Sequence, residues 1–231
     1  MKVAIISAYF NEPLEVVQRC HDSVLAQTHP CDHFLIADGF PKAEIEGWTA
    51  THITLPRNTG DFGDTPRGIG TQYAYTLGYD AVLWLDADNW MEPQHVADML
   101  HAMGDDYVVT CPRTLRWPNG DVLDVCRESD GQTFNDTNCY LIPRKAMIET
   151  AAVWVAKPND RPSIGDRNVW AHVSRLPHKR MPIPSLNYTT TVASHYVERG
   201  VTPPPEAKVL CVIDGQFKSL PYTEWLKATT A

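Results

Sequence analysis

The sequence predicts an α/β fold whose central strands are parallel. Three short apolar runs, bounded by polar or turn residues, are typical of strands buried on both faces; they cover residues 3–8, 33–37 and 81–85. Between the first two runs, apolar residues recur at helical spacing from Val16 to Leu25. A strand, a helix and a second strand in succession form a β-α-β unit, which implies parallel neighbours joined by a right-handed crossover.

The third run ends in two aspartates that are spaced one residue apart, in Asp86-Ala87-Asp88. Side chains at positions i and i+2 of an extended segment point the same way, so we expect the two carboxylates to converge just beyond the strand. Ligands of open α/β sheets bind at that edge. Two carboxylates that converge indicate a binding site for Mg²⁺ or Mn²⁺, an ion that proteins often share with substrate phosphates. The alternative is a turn whose aspartates cap the following helix.

A loop with two glycines leads into another predicted helix. The loop contains Gly60 and Gly63, and Thr65 is the expected N-cap, followed by proline at the first helical position and then Arg67. A helix start with an adjacent cation can hold an anion. The loop matches neither a Walker loop nor a dinucleotide-binding loop. The alternative is a loop packed by its own turns.

Composition narrows the classes of function. A chain of 231 residues with 43% hydrophobic residues can bury a globular core. Its formal net charge of −8 argues against a nucleic-acid-binding protein, which needs a basic face. No apolar run has the length of a membrane span, and the N-terminal run is too short for a signal peptide. Six scattered cysteines without a CxxC pair are expected to be reduced thiols. We therefore expect a cytoplasmic protein without a transmembrane segment.

The order of these features resembles a GT-A glycosyltransferase and, more narrowly, the inverting family 2 type. The matching features, in chain order, are Asn11-Glu12 after the first strand, Asp38-Gly39 after the second, Asn58-x-Gly60, the helix start at Arg67, and Asp86-Ala87-Asp88. The resemblance covers residues 1–100. It implies the GT-A (nucleotide-diphospho-sugar transferase) fold, with a mixed, mainly parallel sheet flanked by helices. The family commonly has two acidic residues after its second strand, whereas this chain has only Asp38.

The resemblance implies transfer of a sugar, with inversion, from a UDP- or GDP-linked donor to an unidentified acceptor hydroxyl. It implies a nucleotide site formed by Ala8, Asn11, Glu12, Asp38, Gly60, Arg67, Asp86 and Ala87. Mn²⁺ or Mg²⁺ would bind to Asp86 and Asp88. Some GT-A enzymes supply a late histidine as a further ligand, which makes His195 a candidate and would favour Mn²⁺. The alternative for His195 is an ordinary surface or core histidine.

A second candidate element is Gly165-Asp166-Arg167, at the start of a predicted helix. By itself, Asp166 there is typical of an N-cap carboxylate favoured by the helix dipole. The family carries a Gly-Glu-Asp or similar element in this place, and its Asp is the general base. The resemblance therefore makes Asp166 the base, although the Glu is absent here. A positioned carboxylate can accept the proton of an attacking hydroxyl. Displacement with a single base predicts inversion, unlike the carboxylate pair of a hydrolase.

Two segments have weaker assignments. Asp136, Thr137 and Asn138 precede a predicted strand; the resemblance makes them donor-sugar candidates, and the alternative makes them turn residues. Near the C-terminus, two strand-like segments flank Asp214-Gly215, which predicts a hairpin. That appendage could cover the acceptor or form an oligomer contact.

We expect a GT-A domain over residues 1–200, with a nucleotide-binding half at 1–100 and an acceptor half at 101–200. The appendage follows at 201–231. Two alternatives stay open. One is a catalytically silent nucleotide-sugar-binding protein, and the other is a sugar-phosphate nucleotidyltransferase. The latter would carry a glycine-rich basic loop directly after the first strand, where this chain has Tyr9-Phe10-Asn11. A homo-oligomer is also compatible with the sequence.

Overall fold

The computed structural model describes residues 1–105, 107–156, 164–213 and 216–230. The first elements in chain order are β1 (Val3–Tyr9), α1 (Leu14–Leu25), β2 (Cys31–Asp38), a 3₁₀ helix (Ala43–Gly47), β3 (Thr51–Leu55), α2 (Asp64–Thr76), β4 (Ala81–Trp84), β5 (Trp90–Met91) and α3 (His95–Met103). They are followed by β6 (Val108–Thr110), β7 (Arg113–Arg116), β8 (Val122–Val125), β9 (Tyr140–Pro143), α4 (Arg144–Val155), α5 (Gly165–Val173), β10 (His178–Arg180), β11 (Leu186–Thr189), α6 (Ala193–Val197), β12 (Lys208–Ile213), β13 (Gln216–Pro221) and α7 (Tyr222–Thr230).

The main sheet has seven strands in the order β10-β6-β9-β4-β1-β2-β3. Strand β1 pairs in parallel with both β2 and β4, and β2 pairs in parallel with β3. Only β9 runs against its neighbours, β4 and β6. A smaller sheet has the order β5-β11-β7-β8. The predicted mixed, mainly parallel sheet and its β-α-β unit are therefore confirmed.

Strand β1, inside the sheet between β4 and β2, is apolar along most of its length because both of its faces are covered. Val3 and Ile5 belong to one hydrophobic cluster, which includes α1 and α3 residues. Ala4 and Ile6 belong to another, which includes residues of α2, α4 and α5. Side chains alternate between the two faces of a strand, so both sets must be apolar when helices cover both faces. This burial holds the carboxyl ends of the central strands at one edge.

The strand that precedes the two aspartates is shorter than predicted. Strand β4 ends at Trp84, and Ala87 and Asp88 lie in a turn in which the Asn89 amide donates to the Asp86 carbonyl over 2.9 Å. The side-chain alternation of a strand therefore does not apply at Asp88, and that part of the prediction is wrong. The i to i+3 hydrogen bond of a β-turn places the pair instead.

The start of α2 also differs from the prediction. The helix begins at Asp64 with Gly63 as its N-cap, so the expected N-cap at Thr65 is wrong. Gly63 has φ +83°, a left-handed conformation that favours glycine. The Asp61 carboxylate accepts from the Thr65 amide at 3.0 Å and from its hydroxyl at 2.6 Å. Asp61 thus supplies the acceptor that Thr65 was expected to supply.

The chain divides into two compact units. The first comprises Met1–Thr114 and Asp124–Tyr188, and the second comprises Leu115–Leu123 and Thr189–Ala231. The first unit contains the seven-stranded sheet. The predicted boundary at residue 200 stays a prediction. In the described parts of the chain, no helix combines the length and the hydrophobicity needed to cross a membrane.

The second unit contains the predicted C-terminal hairpin. Strands β12 and β13 pair antiparallel, with Val209 opposite Leu220. The predicted turn at Asp214-Gly215 lies outside the described residues. The apolar cluster of this unit is centred on the buried Tyr196, whose ring lies 4.8 Å from that of Trp117.

Candidate active site at the carboxyl edge of the sheet

The glycine loop and the aspartate pair are joined by one buried arginine. Arg67 is 8% exposed, and its Nη2 donates to Asp86 Oδ1 at 2.5 Å. Its Nη1 donates to the Phe62 carbonyl at 2.9 Å and to Asp64 Oδ1 at 3.2 Å. Burial lowers the pKa of Arg67, but the charges of Asp86 and Asp64 outweigh it and raise the pKa overall. Arg67 is therefore a permanent cation at this edge of the sheet.

Asp38 is buried at the end of β2 and holds the beginning of the glycine loop. Its carboxylate accepts hydrogen bonds from the Asn58 side-chain amide, the Thr59 backbone amide and the Thr59 hydroxyl, each at 2.9 Å. Two residues further on, Gly60 has φ +71° and is exposed. The conformation of the loop thus depends on Asp38, a contact that the sequence pattern does not encode.

The end of β1 borders the same loop. A Cβ atom on Gly63 would lie 3.0 Å from the Cβ of Ala8, so the loop approaches the strand closely. Glu12 accepts a hydrogen bond from the Phe10 amide at 2.6 Å, and Asn11 between them is exposed. These residues lie at the strand end where the resemblance places the nucleotide.

Helix α1 fixes the turn that contains the aspartate pair. The Arg19 guanidinium lies 4.1 Å from the centroid of the Trp90 ring, and its Nη2 donates to the Asp88 carbonyl at 2.7 Å. Ala87 is buried, and Asp88 is half-buried. Sequence reasoning missed Arg19, because a single arginine on an amphipathic helix carries no signal of its partner.

Asp86 has a second partner that sequence reasoning did not identify. The side-chain Oδ1 of Asn138 accepts from the Asp86 backbone amide at 2.5 Å, and the side-chain Nδ2 of Asn138 donates to Asp86 Oδ2 at 2.8 Å. Asn138 is also bonded to Asp136, which forms an ion pair with Arg113. The only sequence signal was a polar cluster before β9.

Asp166 lies in the first turn of α5, whose N-cap is Ile164. The N-cap interpretation of Asp166 is therefore wrong, although its Oδ1 accepts from the neighbouring Arg167 amide at 2.7 Å. Burial and the charge of Asp136 raise the pKa of Asp166, against the opposing effects of Arg167 and Arg67. A carboxylate with a raised pKa is better suited to accept a proton at neutral pH.

Gly165 brings the start of α5 against the start of α2. A Cβ atom at this position would lie 1.9 Å from Asp64 Oδ2, and Asp64 is the ion-pair partner of Arg67. Only glycine permits this approach. The Arg67–Asp64–Gly165 contacts therefore link Asp166 to the arginine that binds Asp86.

Replacing Gly165 with alanine is expected to destabilise the protein by about 1–3 kcal/mol, the usual cost of overpacking. The new methyl group would displace the Asp64 carboxylate from Arg67. Denaturant unfolding measures the loss, and Gly47→Ala is the control, because a Cβ atom at Gly47 would lie in open space. Equal stabilities of the two variants would contradict the predicted contact.

His195 belongs to the second unit and lies in α6. It is 4% exposed, and its Nδ1 is 2.5 Å from the Thr190 hydroxyl. Among the described residues, no group of three or more His, Cys, Asp or Glu side chains is arranged to hold a metal ion. The metal role of His195 stays a prediction.

The parallel sheet, with an acidic pair and a buried arginine at its carboxyl edge, has the architecture of a nucleotide-sugar transferase. The model of the glycosyl transferase family 2 matches residues 4–133, more than half of the 231 residues. The chain belongs to glycosyl transferase family 2, as the order of its motifs predicted. A search of curated proteins found no match.

Similar solved structures include several of S. aureus TarS. Residues 1–349 of TarS in complex with UDP align with a TM-score of 0.61 and 13% identity, over 85% of this chain and 63% of that one. The complex with UDP-GlcNAc aligns with a TM-score of 0.59 and 12% identity, over 82% and 59%. Another TarS structure aligns with a TM-score of 0.59 and 12% identity, over 85% of this chain and 38% of that one. The chain thus spans less than two thirds of each TarS chain, and the likeness confirms the predicted GT-A fold.

Proposed function

We propose that this protein transfers a sugar from a UDP-linked donor to an acceptor hydroxyl, with a divalent cation and with inversion. The observation that carries the proposal is the contact of Arg67 with Asp86, which joins a cation on the glycine loop to the aspartate pair. Membership of glycosyl transferase family 2 supports the reaction class. TarS, similar in fold, has been solved with UDP and with UDP-GlcNAc, which favours uridine over guanosine as the donor base.

The nucleotide would bind along the carboxyl ends of β1 and β2 and against the glycine loop. The residues that we assign to it are Ala8, Asn11, Glu12, Asp38, Gly60, Arg67, Asp86 and Ala87. Asp38 already accepts three hydrogen bonds from the loop. A carboxylate has about four lone-pair sites, so one remains for a base N–H.

Asp86 and Asp88 would hold Mn²⁺ or Mg²⁺. The donor set fits a hard cation, because each carboxylate oxygen of Asp86 accepts one hydrogen bond, from Arg67 or Asn138, and retains a second lone pair. Such ions are commonly held by one or two carboxylates together with substrate phosphates. When bound, the cation would stabilise negative charge on the diphosphate.

Asp166 would act as the general base. Its carboxylate would accept the proton of the acceptor hydroxyl while the hydroxyl oxygen forms a bond to the anomeric carbon. The bond from that carbon to the diphosphate oxygen breaks at the same time, and the nucleoside diphosphate leaves with the electron pair. Arg67 would offset the charge that develops on it. A single displacement of this kind inverts the anomeric centre.

Thermal stability in the presence of nucleotides tests the donor and the metal together. UDP, GDP, ADP, dTDP and CMP are each compared with and without Mn²⁺. A ligand at about a hundred times its Kd adds about 2.7 kcal/mol, which for a chain of this size is on the order of 5–10 °C. We expect this rise for UDP with Mn²⁺, and Asp88→Asn should remove its metal-dependent part.

Other outcomes would change the proposal in defined ways. A rise with GDP alone would indicate that the donor base is guanosine and not uridine. A rise that does not depend on Mn²⁺ would contradict the proposed role of the cation. Metal-dependent binding of UDP, without transfer of the sugar of UDP-GlcNAc to water or to any acceptor offered, would favour a silent binding protein. No rise with any nucleotide would contradict the nucleotide site itself.

A further inference from the structure

We propose that Asn138 is a positioning residue for Asp86, and that the buried Arg113–Asp136 ion pair holds Asn138 in place. The inference rests on the proposed function, because it gives a role to Asn138 through the aspartate that would face the nucleotide and the metal. It differs from the expectation that Asn138 binds the donor sugar directly.

The Asn138 amide clamps both the backbone and the carboxylate of Asp86. Asn138 is 1% exposed; its Oδ1 accepts from the Asp86 amide at 2.5 Å, and its Nδ2 donates to Asp86 Oδ2 at 2.8 Å. The other carboxylate oxygen, Oδ1, is bound by Arg67. Each oxygen of Asp86 therefore has a fixed partner, and the plane of the carboxylate is set before any ligand binds.

The second amide hydrogen of Asn138 is also used. Asp136 Oδ1 accepts from Asn138 Nδ2 at 2.9 Å and from the Asn138 backbone amide at 3.0 Å. An asparagine side chain has two N–H donors, and here one serves Asp86 and the other serves Asp136. No amide hydrogen of Asn138 is left for a sugar hydroxyl, which favours positioning over direct binding.

Asp136 is held in turn by a buried arginine. Arg113 is 3% exposed, forms an ion pair with Asp136 and lies 3.9 Å from the centroid of the Tyr188 ring. Burial lowers the pKa of Arg113, but the Asp136 charge outweighs it and raises the pKa well above its usual value. A buried cation of this kind fixes its carboxylate partner strongly, because separating the two would leave uncompensated charge.

The chain of contacts pairs each of its carboxylates with a cation, and its Arg67 is paired with Asp64 as well. It runs from Arg67 through Asp86, Asn138 and Asp136 to Arg113, so that each carboxylate has one cation and the neutral amide separates them. Without the amide, two carboxylates would face each other. Polar groups fixed in advance need no rearrangement when charge develops nearby, which is how such a chain would serve transfer.

The first measurement does not depend on any ligand. Hydrogen exchange of the Asp86 backbone amide, followed by NMR, reports directly on its bond to Asn138. We expect Asn138→Leu, which has a similar shape but no amide, to speed this exchange at least tenfold. Asn119→Ala is the control, since Asn119 is exposed and its side chain is hydrogen-bonded to the nearby Asp121 in the turn between β7 and β8. Unchanged exchange at Asp86 in folded Asn138→Leu would overturn the inference.

The second measurement is the Mn²⁺ concentration for half-maximal UDP binding. Loss of a residue that orients a metal ligand typically weakens metal affinity about 10- to 100-fold, and we expect that shift in Asn138→Leu and a smaller one in Asn138→Ser. The serine variant keeps a hydroxyl and serves as the test if the leucine variant does not fold. Normal Mn²⁺ dependence, with a raised KM for UDP-GlcNAc alone, would assign Asn138 to the sugar and overturn the inference.

Failure of the proposed function is distinguishable from failure of this inference. If the wild-type protein binds no nucleotide with Mn²⁺, the proposed function fails, while accelerated exchange at Asp86 in the Asn138 variant still supports the clamp. If the wild type binds UDP with Mn²⁺ and neither variant changes its metal dependence, the proposed function stands and the positioning role is wrong.

Discussion

Replacing Asp166 with asparagine is expected to lower turnover by about 10²–10⁴-fold, the usual contribution of a general base. The amide keeps the shape of the carboxylate but cannot accept the proton of the acceptor hydroxyl. Binding of UDP with Mn²⁺ should stay unchanged. Release of UDP from UDP-GlcNAc measures turnover, and Asp22→Asn, an exposed position on α1, is the control. Unchanged turnover would remove Asp166 from the mechanism.

The same variant should be more stable than the wild type at neutral pH. Burial and Asp136 raise the folded-state pKa of Asp166, so the ionised carboxylate destabilises the folded protein. This penalty is absent below the unfolded-state pKa of about 3.9 and is fully present above the folded-state value. Denaturant unfolding should therefore separate the variant from the wild type at pH 7 and not at low pH. In the pH dependence of wild-type turnover, the loss of activity towards acid pH should follow a pKa above the ordinary value for aspartate.

Replacing Arg67 with methionine is expected to destabilise the fold by about 3–5 kcal/mol, because removing one partner of a buried ion pair leaves its carboxylates uncompensated. Arg67 is 8% exposed and faces both Asp64 and Asp86. UDP binding should fall in parallel. Unfolding by denaturant measures the first effect, and calorimetric titration of UDP measures the second.

Two further variants separate charge from geometry in this prediction. Arg67→Lys keeps the charge but cannot reproduce the planar fork of donors, so we expect an intermediate loss. Arg127→Met is the control, since the Arg127 side chain is 84% exposed and lies 3.7 Å from Asp124; surface changes usually stay within about 0.5 kcal/mol. If Arg67→Met were as stable as Arg127→Met, Arg67 would not join the loop to the aspartate pair.

Errors in the sequence predictions lie where a strand ends or a helix begins. The aspartate pair was expected to continue a strand, but a turn between Asp86 and Asn89 places it. The expected N-cap at Thr65 fails because Asp61 caps the segment from outside the helix. The N-cap interpretation of Asp166 fails because α5 starts one residue before it, at Gly165, which lies close to Asp64.

The sequence by itself determined the alternation of buried strands and amphipathic helices, the edge of the sheet at which polar residues collect, and the family. The alternation follows from local periodicity, which is visible within ten or so residues. The sheet edge follows from the parallel arrangement of the strands, and the family follows from the resemblance carried by the order of the motifs. Only the tertiary structure decided the partners within the site. Arg19 reaches Asp88 across 69 positions and Asn138 reaches Asp86 across 52, and Gly165 meets Asp64 from a different helix. Such pairs depend on how elements pack, and no local spacing records which distant group will contact a given residue of the site.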